Sequence, residues 1–299
     1  MMTALSNTSH CSPGVVSKRH FEILSQEIME DEAIYRIRAA KRVHYLIITR
    51  HPDSVFDEDT LCQPCLLVPK LPPFPDGDWT KMQLYKGAGG DIESTISYEA
   101  LDQIQSTWHS RYIDVLELRR LASYNARVEQ VAFEGVTALS KLAIFEWWIP
   151  QIERETIIYE MIAKDSSTAQ PPIAPTFLGH LTEQGRTIGF LMEKIEGEPA
   201  SLHNLSECET VLRRLHGMGI IHGDVNRYNF IVERSTGHIK MIDFEHAEPY
   251  DEGKAQLEIN ELRAQLSEET GRGASVLVQN DFKSISTEPV PYYPFTFND

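Results

Sequence analysis

Apolar positions in the first hundred residues follow two different patterns, one typical of a helix and one typical of a strand. The segment Phe21–Tyr35 repeats apolar residues at helical intervals and predicts a helix, whereas the apolar run Val43–Thr49 predicts a strand. Prolines and an Asp-Gly pair in Leu66–Trp79 predict an extended loop that packs through its aromatic residues, and Gly87–Asp91 predicts a turn. Residues 1–18 are rich in Ser and Thr, have no apolar core, and are expected to be disordered.

After residue 110, predicted strands come first and predicted helices follow. Alternating apolar and polar residues predict strands over Tyr112–Leu121, Arg127–Glu134, Val136–Phe145, Thr176–Thr182, Arg186–Ile195, Phe230–Glu233 and His238–Ile242. Helical spacing predicts three helices, which are one from Pro150 to Ala163, one opened by a capping box at Ser206–Glu209, and one over Asp251–Leu266 with Leu257, Leu262 and Leu266 inward. This mixture predicts an α+β fold.

The most specific motif lies in Ile220–Ile231. There His222, Asp224 and Asn229 form the pattern H-x-D-x-x-x-x-N between apolar flanks, as in a polar loop held between a helix end and a strand. A second carboxylate, Asp243, follows within the sequence Met-Ile-Asp-Phe-Glu. A turn rich in Asn, Asp and Gly with a chance histidine would explain a lone H-x-D, but it explains this two-part motif poorly.

These residue types suit phosphoryl transfer, in which a protein mainly positions the reactants and neutralises charge. Asp224 would accept the proton of an acceptor hydroxyl or orient that hydroxyl. Asn229 and Asp243 would bind Mg²⁺, a hard cation that prefers oxygen ligands. His222 would support the loop through hydrogen bonds. Arg227 would either contact phosphate or acceptor or simply lie on the surface.

A lysine and a glutamate fall on the apolar faces of consecutive predicted elements. Lys141 shares a strand face with Leu139 and Ala143, and Glu155 lies in the apolar stripe of the helix that follows. Because a lysine on an apolar face is costly unless it is paired, Glu155 is expected to be its partner. The pair is either a structural salt bridge or a device that presents Lys141 to nucleotide phosphates, and the downstream motif favours the second interpretation.

The two motifs resemble those of the protein-kinase-like superfamily. Gly223, which gives His-Gly-Asp, and the sequence Asp-Phe-Glu are similar to the aminoglycoside and choline kinase branch, and the leader resembles that of uncharacterised fungal kinase-like proteins. The resemblance implies a bilobal kinase-like fold, ATP and Mg²⁺ as cofactors, and transfer of the γ-phosphate to a hydroxyl. It also implies that Lys141 contacts the phosphates, that Glu155 orients Lys141, and that the backbone of Glu193–Ile195 binds adenine.

Departures from the superfamily leave several functions open. The turn Ala122–Ala126, where a Gly-rich loop would cover the nucleotide, contains no glycine. The chain after Asp243 is short, as in lipopolysaccharide kinases and RIO-type kinases. The acceptor is a small molecule, which Gly223 and the missing activation segment favour, or a protein Ser/Thr. The alternatives are a pseudokinase that binds nucleotide or acts as a scaffold without turnover, and an interaction protein built around the N-terminal extension.

The predicted organisation has four parts. Residues 1–18 form a disordered N-terminus, and residues 19–109 form an extension packed on the kinase-like fold. Residues 110–195 form a kinase-like N-lobe, and residues 196–299 form a small kinase-like C-lobe with a tail.

Composition narrows the expected partners and location. The net charge of −16 disfavours nucleic acid and anionic membrane surfaces as partners. The partners that are expected, a nucleotide and an unknown hydroxyl acceptor, are those that the resemblance to kinases implies. No apolar run approaches the length of a membrane span. Four cysteines are too few for a disulfide scaffold and suit a reducing compartment, hence the cytoplasm. Cys62 and Cys65 have no second pair to complete a zinc site and are expected to be plain loop cysteines.

Overall fold

The computed structural model describes residues 21–51, 53–165 and 170–271, together with the backbone of two short strands at Val15–Val16 and Val290–Pro291. Helices and several sheets make the chain α+β, as predicted. The chain divides into two compact units, of which the first ends at Leu101 and the second begins at Asp102. Apart from Val15–Val16, the predicted disorder of residues 1–18 lies outside the described residues.

The second unit begins ahead of the expected boundary between residues 109 and 110. The backbone N–H of Ile104 donates to the carbonyl of Thr187 at 2.9 Å, and the guanidinium of Arg186 donates to the carbonyl of Asp102 at 2.8 Å. The segment that starts at Asp102 therefore lies along the sheet that carries Arg186 and Thr187. Both expected lobes, as far as they are described, fall within this second unit.

The first unit is built on a five-stranded sheet with two short helices in one of its connections. Its elements are β1 (Val15–Val16), β2 (Phe21–Ile28), β3 (Glu32–Ala39), β4 (Arg42–Thr49), α1 (Glu58–Cys62), α2 (Pro64–Leu67), β5 (Phe74–Pro75), β6 (Lys81–Lys86) and β7 (Ile92–Ser97). The strand order is β2-β3-β4-β6-β7, and β4 runs parallel to β6, so the connection between them crosses over through α1 and α2. The other neighbours are antiparallel.

The predicted helix over Phe21–Tyr35 is wrong, because the segment forms the hairpin of β2 and β3. A bulge between Ile23 and Ser25 shifts the pairing register by one residue. Phe21, Ile23 and Ile28 consequently pack against the same core, although their spacing is not a strict alternation. This interrupted period of two imitates the three-and-four spacing of a helix, which is why the sequence pattern misleads.

Other predictions for the first unit are confirmed. The strand expected at Val43–Thr49 is β4, and the turn expected at Gly87–Asp91 joins β6 to β7. Phe74 and Trp79, on the proline-rich segment, are both buried in the core of this unit. The structure adds a short helix, α2, and the strand β5 where only a loop is predicted.

In its described residues, the second unit carries the predicted motifs on a seven-stranded sheet, two small sheets and three helices. Its elements are β8 (Tyr112–Asp114), β9 (Arg119–Ser123), β10 (Val128–Phe133), β11 (Val136–Leu142), α3 (Ile149–Lys164), β12 (Phe177–Glu183), β13 (Arg186–Glu193), β14 (Gly197–Pro199), α4 (Leu205–Gly217), β15 (Ile220–Ile221), β16 (Phe230–Glu233), β17 (Ile239–Met241), β18 (Glu248–Pro249), α5 (Glu252–Leu266) and β19 (Val290–Pro291). The large sheet has the order β19-β9-β10-β11-β13-β12-β8, and the small ones are β14-β16-β17 and β15-β18.

One hydrophobic core joins α3, α4 and α5 to these sheets. Tyr159 of α3 packs between Phe190 of β13 and Phe244, which follows β17, with ring centroids 5.2 and 5.6 Å away. Leu212 of α4 and Leu262 of α5 belong to the same core. Because aromatic pairs in these geometries add to the gain from burial, helix α3 is firmly held against the segment that carries Asp243.

Several predictions for the second unit need correction. The strand expected at Tyr112–Leu121 is interrupted by a 3₁₀ turn after β8. Helix α4 begins at Leu205 without a side-chain cap, and the capping box lies one turn earlier, between Ser201 and Asn204. Leu257 is exposed, because the buried stripe of α5 runs through Ala255, Leu262 and Leu266, and Leu257 points to another side. The remaining predicted strands and both other helices are present, with ends that differ from the predicted ones by no more than three residues.

Among the described helices, none combines the length and the apolar character that crossing a membrane requires.

Candidate functional site

The loop that carries the main motif connects β15 to β16, and His222 lies at its base. His222 is fully buried, and its Nε2 is 3.1 Å from the carbonyl oxygen of Ile242. Since a carbonyl only accepts, Nε2 carries the hydrogen and donates it. Burial lowers the pKa of His222 below its ordinary value, which favours the neutral ring. The histidine thus ties the loop to the residue before Asp243, which is the support that the sequence predicts.

Asp224 and Asn229 are bonded to each other within this loop. The side-chain amide of Asn229 donates to Oδ2 of Asp224 at 3.0 Å and to the Asp224 carbonyl at 2.8 Å. Asn226 donates to the same Oδ2 at 3.2 Å. Asn229 is buried and Asp224 is partly exposed, so two amides fix the orientation of a carboxylate that solvent still reaches.

Lys141 lies at the centre of a group of buried charges. Its Nζ is 2.6 Å from Oε2 of Glu155, 2.7 Å from Oδ1 of Asp243 and 2.7 Å from Oε1 of Glu245. Only Asp243 is appreciably exposed, with 30% of its side chain accessible. The predicted ion pair between Lys141 and Glu155 is therefore present, and two further carboxylates join it. We refer to these four residues as the lysine cluster.

Burial and neighbouring charges shift the pKa values of the lysine cluster in opposite directions. Burial alone would lower the pKa of Lys141, but its carboxylate neighbours outweigh burial and raise that pKa above its ordinary value. Burial raises the pKa of Glu155, against the opposing effect of Lys141. For Asp243, burial would raise the pKa, yet the adjacent Lys141 holds it below its ordinary value. The lysine is firmly charged, and Asp243 retains its negative charge.

Helix α3 and the turn after β17 hold the cluster together. Oε1 of Glu155 accepts the backbone N–H of Phe244 at 3.3 Å, and the guanidinium of Arg154 donates to the carbonyl of Glu245 at 2.8 Å. Asp243 has a left-handed backbone with φ 65° and ψ 66°. A left-handed backbone is strained for most residues, and Asp tolerates this conformation better than most. The strain persists only where surrounding contacts hold the residue in place. The two hydrogen bonds to α3 supply that enforcement.

Glu245 has no role in the sequence analysis, yet it is central to the structure. Its Oε1 binds Lys141, and its Oε2 is 2.9 Å from the guanidinium of Arg127, the last residue of the turn between β9 and β10. The sequence does contain a feature that could have identified Glu245, because this residue follows Asp243 by two positions within an otherwise apolar stretch. A buried acid in such a stretch needs a cationic partner.

Glu258 of α5 is a second residue that sequence reasoning missed. Its carboxylate accepts the backbone N–H of Gly223 at 2.7 Å, and it lies 2.7 Å from Nε2 of His216 on α4. Burial would raise the pKa of Glu258. The hydrogen bonds that its carboxylate makes with His216 and with the backbone of Gly223 outweigh burial and hold this pKa below its ordinary value. Glu258 lies on the same helix face as Leu262. As with Glu245, an acidic residue among apolar ones is the feature of the sequence that could have identified it.

The expected adenine-binding segment Glu193–Ile195 begins at the last residue of β13. The backbone N–H of Glu193 donates to the carbonyl of Thr176 at 2.9 Å, and its carboxylate lies 3.1 Å from Nζ of Lys240. Ile195 is half-buried. The amide of Glu193 is therefore already occupied within the protein, and adenine would have to use other backbone groups of this segment.

Arg227 lies outside the lysine cluster. Its guanidinium donates to the carbonyl of Glu268, just after α5, at 2.9 Å. This contact favours the structural interpretation of Arg227 over a role on phosphate or acceptor. Cys62, the last residue of α1, and Cys65, the second residue of α2, are exposed free thiols, so both lie in short helices and not in the predicted loop.

Oxygen atoms suitable for a divalent cation occur in the cluster. Glu155, Asp243 and Glu245 bring carboxylate oxygens within 4.8 Å of one another. Glu155 and Glu245 are buried against Lys141, whereas Asp243 is partly open to solvent. Carboxylate and amide oxygens fit the preference of Mg²⁺, so Asp243 with the amide oxygen of Asn229 is a chemically suitable pair of ligands.

No protein-family model matches this chain, and no curated protein matches it significantly.

Proposed function

We propose that this chain is an ATP- and Mg²⁺-dependent phosphotransferase with a bilobal protein-kinase-like fold. The observation that carries the proposal is that Lys141 forms ion pairs with both Glu155 and Asp243. These three residues lie on β11, on α3 and in the turn after β17. The Asp224–Asn229 pair adds a polar loop tied to the same turn through His222. A lysine beside a glutamate, a metal-binding aspartate and an aspartate–asparagine loop are the parts that kinases use.

In this proposal each residue has a separate task. Lys141 binds the phosphates of the nucleotide, and Glu155 holds the ammonium group in place. Asp243 and Asn229 hold Mg²⁺, which when bound neutralises charge on the phosphates. Asp224, with its carboxylate oriented by two amides, accepts the proton of the acceptor hydroxyl or aligns that hydroxyl for attack. His222 supports the loop.

The acceptor is a hydroxyl of a small molecule in the first instance, and a protein Ser/Thr is the other candidate. Gly223 favours the small molecule. Its backbone has φ +79°, and a Cβ at this position would lie 2.0 Å from the carbonyl oxygen of His246. The loop therefore cannot accept the arginine that ordinary protein kinases carry there, which supports kinship with the small-molecule branch.

A pseudokinase is the second candidate, and one observation favours it specifically. Lys141 is already bound by Glu155, Asp243 and Glu245, so a nucleotide must compete with internal carboxylates for the lysine. A protein that uses these contacts only to stabilise its fold would bind nucleotide weakly or not at all. The enzyme binds MgATP and turns it over, whereas a pseudokinase has no turnover and, where it acts only as a scaffold, does not bind MgATP either.

Thermal unfolding with ATP, in the presence and absence of Mg²⁺, tests the proposal on wild type and Asp243→Ala. A ligand that binds only the folded protein at a hundredfold its dissociation constant adds about 2.7 kcal/mol of stability. We expect a Mg²⁺-dependent rise of the melting temperature in the wild type and its loss in the variant. No shift in the wild type would exclude the enzyme and favour the pseudokinase or scaffold.

A further inference from the structure

The turn between β9 and β10 cannot offer its backbone amides to a phosphate as a Gly-rich loop would. The N–H groups of Tyr124 and Asn125 donate to the carbonyl of Val128 at 2.9 and 3.4 Å. The N–H groups of Arg127 and Val128 donate to the side-chain oxygen of Asn125 at 2.8 and 2.9 Å. Four donors of the turn are thus used within the turn itself, which leaves stabilisation of phosphates to side chains.

Arg127 projects its guanidinium from this turn to the lysine cluster. Nη1 lies 2.9 Å from Oε2 of Glu245, and the guanidinium carbon lies 5.6 Å from the ring centroid of Trp148. The backbone carbonyl of Arg127 accepts the N–H of Leu142 at 2.9 Å, which fixes the base of the side chain. One quarter of the Arg127 side chain remains exposed, so the side chain is only partly enclosed by the protein.

We propose that Arg127 is a phosphate-binding residue that takes the place of the Gly-rich loop. The inference rests on the proposed nucleotide-binding function. Glu245 is the resting partner of Arg127, and its carboxylate holds the guanidinium where an anionic phosphate group of the nucleotide would bind. The planar fork of arginine suits phosphate oxygens as well as it suits a carboxylate, so the exchange needs no new kind of contact.

The same hairpin contains a matched ion pair that lies on the other face of the sheet. Arg120 of β9 is 2.8 Å from Glu129 of β10. Val128 pairs with Lys141 in the register of β10 and β11, so Val128 and Lys141 share one face, and Glu129 points to the opposite one. Arg120 therefore resembles Arg127 in charge and pairing but does not face the lysine cluster.

Calorimetric titration of the full chain with MgATP and with AMP tests the inference on wild type, Arg127→Gln, Arg127→Lys and Arg120→Gln. Loss of one charged hydrogen-bonding group predicts that Arg127→Gln binds MgATP about tenfold more weakly. Its affinity for AMP should stay within about twofold, because the proposed partner of Arg127 is a β- or γ-phosphate, which AMP lacks. Arg127→Lys should fall between wild type and Arg127→Gln, and Arg120→Gln should match wild type.

Several outcomes would overturn the inference. Equal or tighter binding of MgATP by Arg127→Gln would mean that the arginine only closes the site by holding Glu245. Equal losses for MgATP and AMP would assign Arg127 a structural role. If Arg127→Gln does not fold, Arg127→Lys replaces it in the test. A preference of Arg127→Lys for MgATP over AMP as strong as that of wild type would likewise overturn the inference. Failure of the wild type to bind either nucleotide would refute the proposed function itself, and the wild-type titration alone identifies that case.

Discussion

The carboxylate of Glu258 accepts the backbone N–H of Gly223 at 2.7 Å, and this bond ties helix α5 to the loop that carries Asp224. The same carboxylate lies 3.4 Å from the backbone nitrogen of His222 and 2.7 Å from Nε2 of His216. One acid therefore orients two consecutive amides of the loop and joins α5 to α4. The loop is positioned from outside by α5 as well as from within by its own asparagines.

Replacing Glu258 with alanine should destabilise the protein by about 1–3 kcal/mol, because the amide of Gly223 and the ring of His216 lose their acceptor. Chemical denaturation measures this change in the free energy of unfolding. Glu261→Ala is the control, since Glu261 lies exposed on the same helix and should change stability by less than about 0.5 kcal/mol. Similar effects of both substitutions would show that the Glu258 contacts contribute little.

Gly223 and Gly237 both have left-handed backbone, with φ +79° and +73°, but differ in the space around them. A Cβ on Gly223 would overlap the carbonyl of His246, whereas one on Gly237 would have no atom within 4 Å. Gly237→Ala should cost about 1–2 kcal/mol for the backbone alone. Gly223→Ala should cost about 1–3 kcal/mol more because of the overlap. Equal losses on denaturation would contradict this view of the loop.

Lys141→Met should destabilise the protein by about 3–5 kcal/mol, since the buried carboxylates of Glu155 and Glu245 lose their common partner. Urea denaturation measures the loss, and the double variant Lys141→Met with Glu155→Gln should recover part of it. Lys164→Met is the control, because Lys164 pairs with Glu160 on the surface, where its side chain is 72% exposed. That substitution should cost less than about 1 kcal/mol. A tolerated Lys141→Met would mean that the cluster adds little to stability.

Asp224→Asn should reduce phosphoryl transfer by about 10²–10⁴-fold while leaving nucleotide affinity nearly unchanged, because it removes the proposed base and none of the proposed metal ligands. Basal ATP hydrolysis is the first assay, and titration with MgATP is the accompanying control. Asp243→Ala should instead weaken binding of MgATP. Wild-type hydrolysis by Asp224→Asn would refute the role assigned to Asp224.

His180 should make the protein sensitive to mild acid. Its Nε2 accepts the backbone N–H groups of Trp108 and His109 at 3.0 and 3.1 Å, and burial lowers the pKa of His180 to about 4. The unfolded chain therefore binds this proton more readily than the folded chain between pH 6.5 and 4. The contribution of the neutral ring to stability is complete above pH 6.5 and declines as the pH falls through that window.

The stability advantage of wild type over His180→Gln should shrink by about 3 kcal/mol between pH 7 and pH 4, the equivalent of the pKa difference. Denaturation at a series of pH values measures it, with His238→Gln, a change at an exposed position, as the control. A pH-independent advantage would contradict the assignment to His180.

Local patterns in the sequence predict much of the second unit and part of the site. Lys141 and Glu155 are predicted to pair because each lies on an apolar face of its own element, and the pair is present at 2.6 Å. The same criterion would have found Glu258, had the inward stripe of α5 been placed through Ala255 and Leu262 instead of Leu257. The hairpin of β2 and β3 is misjudged because its bulge breaks the period of two.

By itself, the sequence determines which residue types stand together in the H-x-D-x-x-x-x-N loop and which faces of strands and helices are apolar, because both depend on neighbours along the chain. Only the tertiary structure decides that Arg127 reaches Glu245 and that Glu258 reaches Gly223. These contacts join residues far apart in sequence. They depend on how helices and sheets pack and on where each long side chain ends, which no local periodicity encodes.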